Sequence, residues 1–168
     1  FGIIGYGNIG KKLAAVAQAL AMNVIIHTAH PEKYVQTDLK FVSLDEILSN
    51  SDILSLNLPA TKESKNMIDK HALTKMKKSA ILINCSRGQL INEIDLANSL
   101  NNDEIAYACL DVLSKEPPHN DNPLLNCKNC QITPHIAWAT IEARARIIEE
   151  TALNIEAFLN GGKRNVIV

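Results

Sequence analysis

Three side chains in the second half of the chain carry groups that could work on one small molecule: Arg87, Glu116 and His135. A guanidinium forks onto a carboxylate or a keto oxygen. An imidazole gives or takes a proton near neutral pH, and a carboxylate beside it orients the ring and favours its charged form. Each residue also has a plainer reading. Arg87 could be a surface ion-pair arginine, and His135 a helix-entry residue. Their surroundings favour the chemical reading. Arg87 stands in Asn84-Cys85-Ser86-Arg87-Gly88, Glu116 in Asp111-Val-Leu-Ser-Lys-Glu116-Pro117, and His135 follows Pro134, each just beyond a short apolar run. The same arrangement holds for the glycine turn Gly5-Tyr6-Gly7-Asn8-Ile9-Gly10, which follows the apolar residues Phe1 to Ile4. A cation, a carboxylate and an imidazole on one edge with such a turn suit hydride transfer to a 2-keto acid.

The glycine turn sits between a strand and an alanine-rich helix, Lys11 to Leu20. Gly5 permits the tight turn off the strand, Gly7 lets a pyrophosphate approach the backbone, and Gly10 lets the helix pack closely on the strand. The free N–H groups and positive end of the helix then face the phosphates. Further apolar runs read as strands: Asn23–His27, Phe41–Val42, Asp52–Leu56, Ala80–Asn84, Ile105–Leu110 and Gln131–Thr133. Ser43 with Glu46 has the capping-box pattern, Asp69 caps a helix to about Met76, Asn92 caps Glu93–Leu100, and Thr140 opens a long helix to about Leu159. Asp111 to Asn126 is a proline-containing loop. Strands without polar alternation that alternate with helices predict an α/β fold, a doubly wound parallel sheet with helices on both faces. Ligands of such sheets lie beyond the carboxyl ends of the strands.

The chain has 168 residues, 46% hydrophobic and 21% charged, with a net charge of −1. That is an ordinary globular balance in the size range of one domain, and it argues against a nucleic-acid or acidic-membrane partner. No apolar run reaches the ~18 residues of a membrane span. Of the four cysteines, Cys85 and Cys109 sit in apolar runs and read as buried thiols. Cys127-Lys-Asn-Cys130 lacks the second ligand pair a zinc site needs, so we expect no metal, and it precedes a strand rather than opening a helix as a redox motif would. The thiols fit a reducing, cytoplasmic setting. Phe1 opens inside a strand, so a segment ahead of it is expected.

Taken together, GYGNIG, LNLPAT at Leu56–Thr61, INCSRG at Ile83–Gly88, LDVLSKEPP at Leu110–Pro118, NPLL at Asn122–Leu125 and TPHIAWAT at Thr133–Thr140 resemble the nucleotide-binding domain of the D-isomer-specific 2-hydroxyacid dehydrogenases, along essentially the whole chain. Trp138 and the Glu116-Pro-Pro loop are most similar to the glycerate dehydrogenase (hydroxypyruvate reductase) branch. The resemblance implies a Rossmann-like domain over residues 1–168, with NAD as cofactor and a 2-hydroxy or 2-keto acid as substrate. It implies that Arg87 binds the substrate carboxylate, His135 is the general acid or base, and Glu116 orients it. Asp111 would hold the nicotinamide carboxamide. Asn8 and Ile9 would meet the pyrophosphate along with Gly5, Gly7 and Gly10. Cys85 and Ser86 would line the nicotinamide-ribose side, and Pro59 the adenosine side. His135 and Ala137 complete the cofactor set. The family is commonly dimeric through this domain, so a homodimer is expected.

Two departures bear on this reading. Thr28 occupies the usual acidic position of the cofactor site, and only His30 and Lys33 could answer a 2′-phosphate, so NAD is expected and NADP is not excluded. The family's substrate domain, towards which Lys163–Val168 would return, is not part of the sequence. Alternatives of the same lineage are a phosphoglycerate-type dehydrogenase and an NAD-sensing corepressor of the C-terminal binding protein type.

Overall fold

The computed structural model describes residues 1–34 and 38–166. It divides into two compact units, Phe1–Pro134 and His135–Val168.

In the first unit, all the strands are parallel. They are β1 (Gly2–Ile4), β2 (Ile25–His27), β3 (Lys40–Phe41), β4 (Ile53–Leu56), β5 (Ile81–Asn84), β6 (Tyr107–Leu110) and β7 (Cys130–Ile132). Their order is β3-β2-β1-β4-β5-β6-β7, so the chain reverses direction across the sheet between β1 and β4. That is the switch point at which doubly wound sheets open a ligand crevice. The helices of this unit are α1 (Asn8–Ala19), α2 (Leu44–Asn50), α3 (Lys70–Lys75) and α4 (Glu93–Asn101). The central strands β1 and β4 are buried almost throughout, whereas β5 and β6 alternate buried and half-buried positions. Ile4, Leu54, Leu56, Leu82, Leu96 and Ala108 form one core cluster with α2 to α4. Ile3, Tyr6, Ala14 and Ile26 form another under α1.

Strand lengths differ from the sequence reading for a physical reason. β1 offers three residues, and its register with β2 runs from Gly2↔Ile25 to Ile4↔His27, so Asn23 and Val24 have no ladder partner there. The helix after the glycine turn starts at Asn8 rather than Lys11, because Gly7 is its N-cap and the N–H of Lys11 closes the first turn on the Gly7 carbonyl at 3.0 Å. The expected caps form. Ser43, Asp69 and Asn92 accept from Glu46, Ala72 and Ile94 at 3.1, 2.9 and 3.2 Å. Glu46 meanwhile pairs with Lys40 at 2.7 Å. The long Asp111–Asn126 stretch ends in a 3-10 turn, Pro123–Asn126.

The second unit is dominated by α5 (Ile141–Leu159), capped by Thr140, whose hydroxyl accepts from Ala143 N–H at 3.2 Å. No helix among the described residues is long and apolar enough to cross a membrane. Of the expected returning segment Lys163–Val168, Ile167 and Val168 lie outside the described residues.

Candidate active site

Parallel register puts the candidate residues on one edge. His27, Ile4, Leu56, Asn84 and Leu110 are consecutive lateral partners at the carboxyl ends of β2, β1, β4, β5 and β6. The residues that leave the sheet next are therefore Thr28, Gly5, Asn57, Cys85 and Asp111.

The glycine turn is built as a phosphate cradle. Gly5 has φ +95°, and a Cβ on it would lie 2.2 Å from the Asn57 carbonyl oxygen, so both backbone angle and neighbour demand glycine. A Cβ on Gly10 would meet the Gly5 carbonyl oxygen at 2.2 Å, which is the close approach of α1 to the turn. Gly7 is different: nothing lies within 4 Å of a Cβ placed there. Its open side adjoins the Asn8 and Ile9 N–H groups in the first turn of a helix with no acidic residue at that end. A missing Cβ where the fold has no need of the space, beside helix N–H donors, fits a phosphate group. Tyr6 points inward, with Tyr34 and Phe41 edge-on at 4.9 and 5.5 Å. Burial, followed by the Tyr34 neighbour, pushes its hydroxyl above the usual phenol range.

At the end of β2, the Thr28 hydroxyl accepts from His30 N–H at 3.5 Å, and His30 Nδ1 contacts Glu32 Oε1 at 3.1 Å. His30 is thus engaged by a carboxylate that sequence reading had not connected to this corner. At the end of β4, exposed Pro59 gives its carbonyl to the Ser64 hydroxyl at 2.8 Å.

Beyond β5, a fully buried Asn84 shapes the turn carrying Arg87. Its Oδ1 accepts from Ser86 N–H at 3.0 Å, and its Nδ2 donates to the Arg87 carbonyl at 2.9 Å. Ser86 Oγ donates to the Leu56 carbonyl at 2.9 Å, binding this turn to the end of β4. Arg87 is exposed and donates from Nη1 to the Ser86 carbonyl at 2.6 Å. Cys85 corrects the expectation of a buried thiol: as the first residue off β5 it is exposed, and Cys109 is half-buried. Desolvation, then the Asp111 carboxylate, still raises the Cys85 thiol above its ordinary range. Burial pushes Cys130 up to about 12 and also raises Cys127, whose thiol donates to the Pro123 carbonyl at 3.4 Å. These are packed thiols. No cluster of metal-ligating residues occurs among the described residues.

Beyond β6, Asp111 is buried and accepts from the Thr133 hydroxyl at 2.5 Å, which joins the ends of β6 and β7. Glu116 is exposed, and its Oε1 accepts from Leu113 N–H at 2.9 Å. The Arg87 turn and this loop are packed together, because a Cβ on Gly88 would lie 2.0 Å from the Leu113 carbonyl carbon. The structure therefore brings Arg87's turn, Glu116's loop, Asp111, Cys85, Ser86 and the glycine turn to one edge of the first unit.

His135 and Ala137 belong to the second unit and are described there. His135 has φ +55°, the left-handed region, where non-glycine residues are uncommon and cluster at functional sites. Its carbonyl accepts from Trp138 Nε1–H at 3.0 Å, and the Ile136 carbonyl accepts from Ala139 N–H at 2.9 Å. Trp138 thus ties down the turn that presents His135, a role its i+3 spacing could have signalled.

A parallel sheet with a phosphate cradle at its switch point defines a dinucleotide-binding domain, and the comparisons narrow the class. Residues 1–137 match the family described as "D-isomer specific 2-hydroxyacid dehydrogenase, NAD binding domain", and the chain belongs to that family. It is 45% identical over 167 residues to a hydroxypyruvate reductase of Blautia hydrogenotrophica, covering 99% of this chain and 52% of that protein. It is 41% identical over 168 residues to a glycerate dehydrogenase of Methylorubrum extorquens, again covering 99% and 52%. A solved D-isomer-specific 2-hydroxyacid dehydrogenase from Lactobacillus delbrueckii ssp. bulgaricus, in its NAD-complexed form, superposes with a TM-score of 0.89 at 31% identity. That match covers 99% of this chain and 55% of the other. The chain spans about half the length of the relatives it matches.

Proposed function

We propose that this chain is the cofactor half of an NAD-dependent D-2-hydroxyacid dehydrogenase that reduces a short 2-keto acid, hydroxypyruvate or glyoxylate, to the D-2-hydroxy acid or glycolate. The observation that carries the reading is the shared edge. The phosphate cradle, Asp111, the Arg87 turn and the Glu116 loop come off neighbouring parallel strands in one register. The names of the two relatives at 45% and 41% identity support the substrate class.

Bound nicotinamide cofactor supplies the hydride. The Asn8 and Ile9 N–H groups would hold its pyrophosphate beside Gly7, Asp111 would accept from its carboxamide, and Cys85 and Ser86 would border its ribose. Arg87 pairs with the substrate carboxylate and draws electron density from the keto oxygen, so that charge developing there is met by a cation already in place. The family resemblance gives His135 the proton transfer to and from that oxygen, and Glu116 the part of the carboxylate that serves an acid–base imidazole. Thr28 gives no carboxylate to repel a 2′-phosphate, but no arginine attracts one and Glu32 engages His30, which favours NAD. The working protein is a homodimer acting on a small-molecule substrate in the cytoplasm.

The test is Glu116→Gln in the full-length protein, with hydroxypyruvate as substrate. We expect kcat to fall at least about a hundredfold, the low end of what positioned acid–base catalysis contributes, with NADH affinity unchanged. Wild-type turnover by this variant would remove Glu116 from the mechanism.

A further inference from the structure

Glu93, at the first turn of α4, belongs to none of the motifs that carry the chemistry, yet both of its oxygens reach into the loop that carries Glu116. Oε1 accepts from Ser114 N–H at 2.6 Å, and Oε2 accepts from Asn122 Nδ2 at 2.8 Å. The two contacts grip the loop on both sides of Glu116. The Arg87 side of the same segment adds two more ties. Gln89 Nε2 donates to the Ser114 carbonyl at 3.2 Å, and Gly88 lies flat against Leu113 and Ser114. Leu113, the residue whose N–H meets Glu116 Oε1, is therefore packed on the Arg87 turn and followed directly by Ser114, which the Glu93 carboxylate holds.

We propose that Glu93 is a positioning residue for the reaction: its carboxylate clamps the 111–126 loop so that Glu116 is presented at a fixed place relative to Arg87. The proposal rests on the role given to Glu116 above. Three features argue that the clamp is strong enough to matter. The bonds are charge-assisted and short, about twice as strong as neutral ones. Glu93 is half-buried, so water competes less for its oxygens. It also sits at the positive end of α4, whose Asn92 cap accepts from Ile94 and Asp95 N–H at 3.2 Å each, so the helix holds the carboxylate in place. Without the clamp, the Ser114 N–H and the Asn122 amide nitrogen would turn to water while Gln89 still holds the Ser114 carbonyl, and Glu116 would sample positions on the scale of an ångström.

The experiment is a double-mutant cycle on the full-length enzyme, with steady-state kinetics on hydroxypyruvate and NADH and a melting curve for each variant. Glu93→Ala should lower kcat between about tenfold and about a hundredfold, the cost of misplacing a catalytic group by ~1 Å, with the KM for NADH within about twofold of wild type. Glu93→Gln keeps one acceptor and should fall between wild type and Glu93→Ala. If Glu93→Ala does not fold, Glu93→Gln carries the test. In the Glu116→Gln background either substitution should cost little more, because the group it positions is already disabled. Wild-type kcat in the Glu93 variants while Glu116→Gln is impaired would overturn the clamp and leave the functional reading standing. Fully additive losses would overturn it as well. An unimpaired Glu116→Gln would defeat the functional reading itself and the clamp with it.

Discussion

Substituting alanine at Gly7 separates a glycine kept for a ligand from one kept for the fold. Gly7 has φ −82° and ψ −158°, extended backbone that alanine adopts, and a Cβ there meets nothing within 4 Å. Gly7→Ala should therefore leave folding intact, or stabilise it by up to about 1 kcal/mol through a less flexible unfolded chain. The new methyl group nevertheless stands on the open side of the Asn8 and Ile9 N–H groups. Pushing a phosphate away from those two donors weakens charge-assisted bonds worth about 1.5–3 kcal/mol each. Losing one of them weakens NADH binding at least about tenfold, or ~1.4 kcal/mol. Gly5→Ala is the control. Its φ of +95° costs about 1–2 kcal/mol with a side chain. Its Cβ at 2.2 Å from the Asn57 carbonyl oxygen adds an overlap of about 1–3 kcal/mol that only a backbone shift relieves. That sum lowers the melting temperature by roughly 5–15 °C in a domain of this size. The assay is fluorescence titration with NADH alongside thermal unfolding of the full-length protein. Gly7→Ala that binds NADH within about twofold of wild type would refute the cradle, and Gly7→Ala that melts like Gly5→Ala would refute the claim that the fold does not need this glycine.

The thiols should resist modification in order of their surroundings. With its thiol at about 12, Cys130 is protonated at pH 8 and should not react with a maleimide or Ellman's reagent until the protein unfolds. Exposed Cys85, raised less, should react slowly at pH 8 and faster as pH climbs, and NADH should protect it; no protection would take Cys85 out of the cofactor site. Thr28→Asp should move the KM ratio further towards NADH by more than about tenfold, read by comparing NADH with NADPH, and an unchanged ratio would show that this corner does not meet the ribose.

Much of the scaffold was legible because local and global signals agree. Apolar runs such as Ile81–Asn84 have no polar face to mislead, and Ser43, Asp69, Asn92 and Thr140 announce their helices by side-chain chemistry. The start of α1 was hidden because Asn8-Ile9-Gly10 reads as turn, although the fold makes it the first turn of a helix. Cys85 was misplaced because its apolar run ends one residue earlier, at Asn84, and the side chain leaves the sheet. The candidate site was legible as motifs but not as contacts. Glu93 reaches Ser114 and Asn122 across 21 and 29 residues of chain, and buried Asn84 bonds within its own turn. Neither pattern has a signature in spacing or composition, because each depends on how the loops pack once the sheet has formed.

If His135 supplies the proton as proposed, its removal should cost turnover and spare cofactor binding. The most direct measurement is NADH oxidation with hydroxypyruvate by the full-length protein and its His135→Ala variant, with NADH affinity measured in parallel. The wild type should give D-glycerate, the variant a kcat lower by about 10²–10⁴-fold, the range of positioned acid–base catalysis, and both should bind NADH. Near-normal turnover by His135→Ala, or L-glycerate from the wild type, would contradict the proposal.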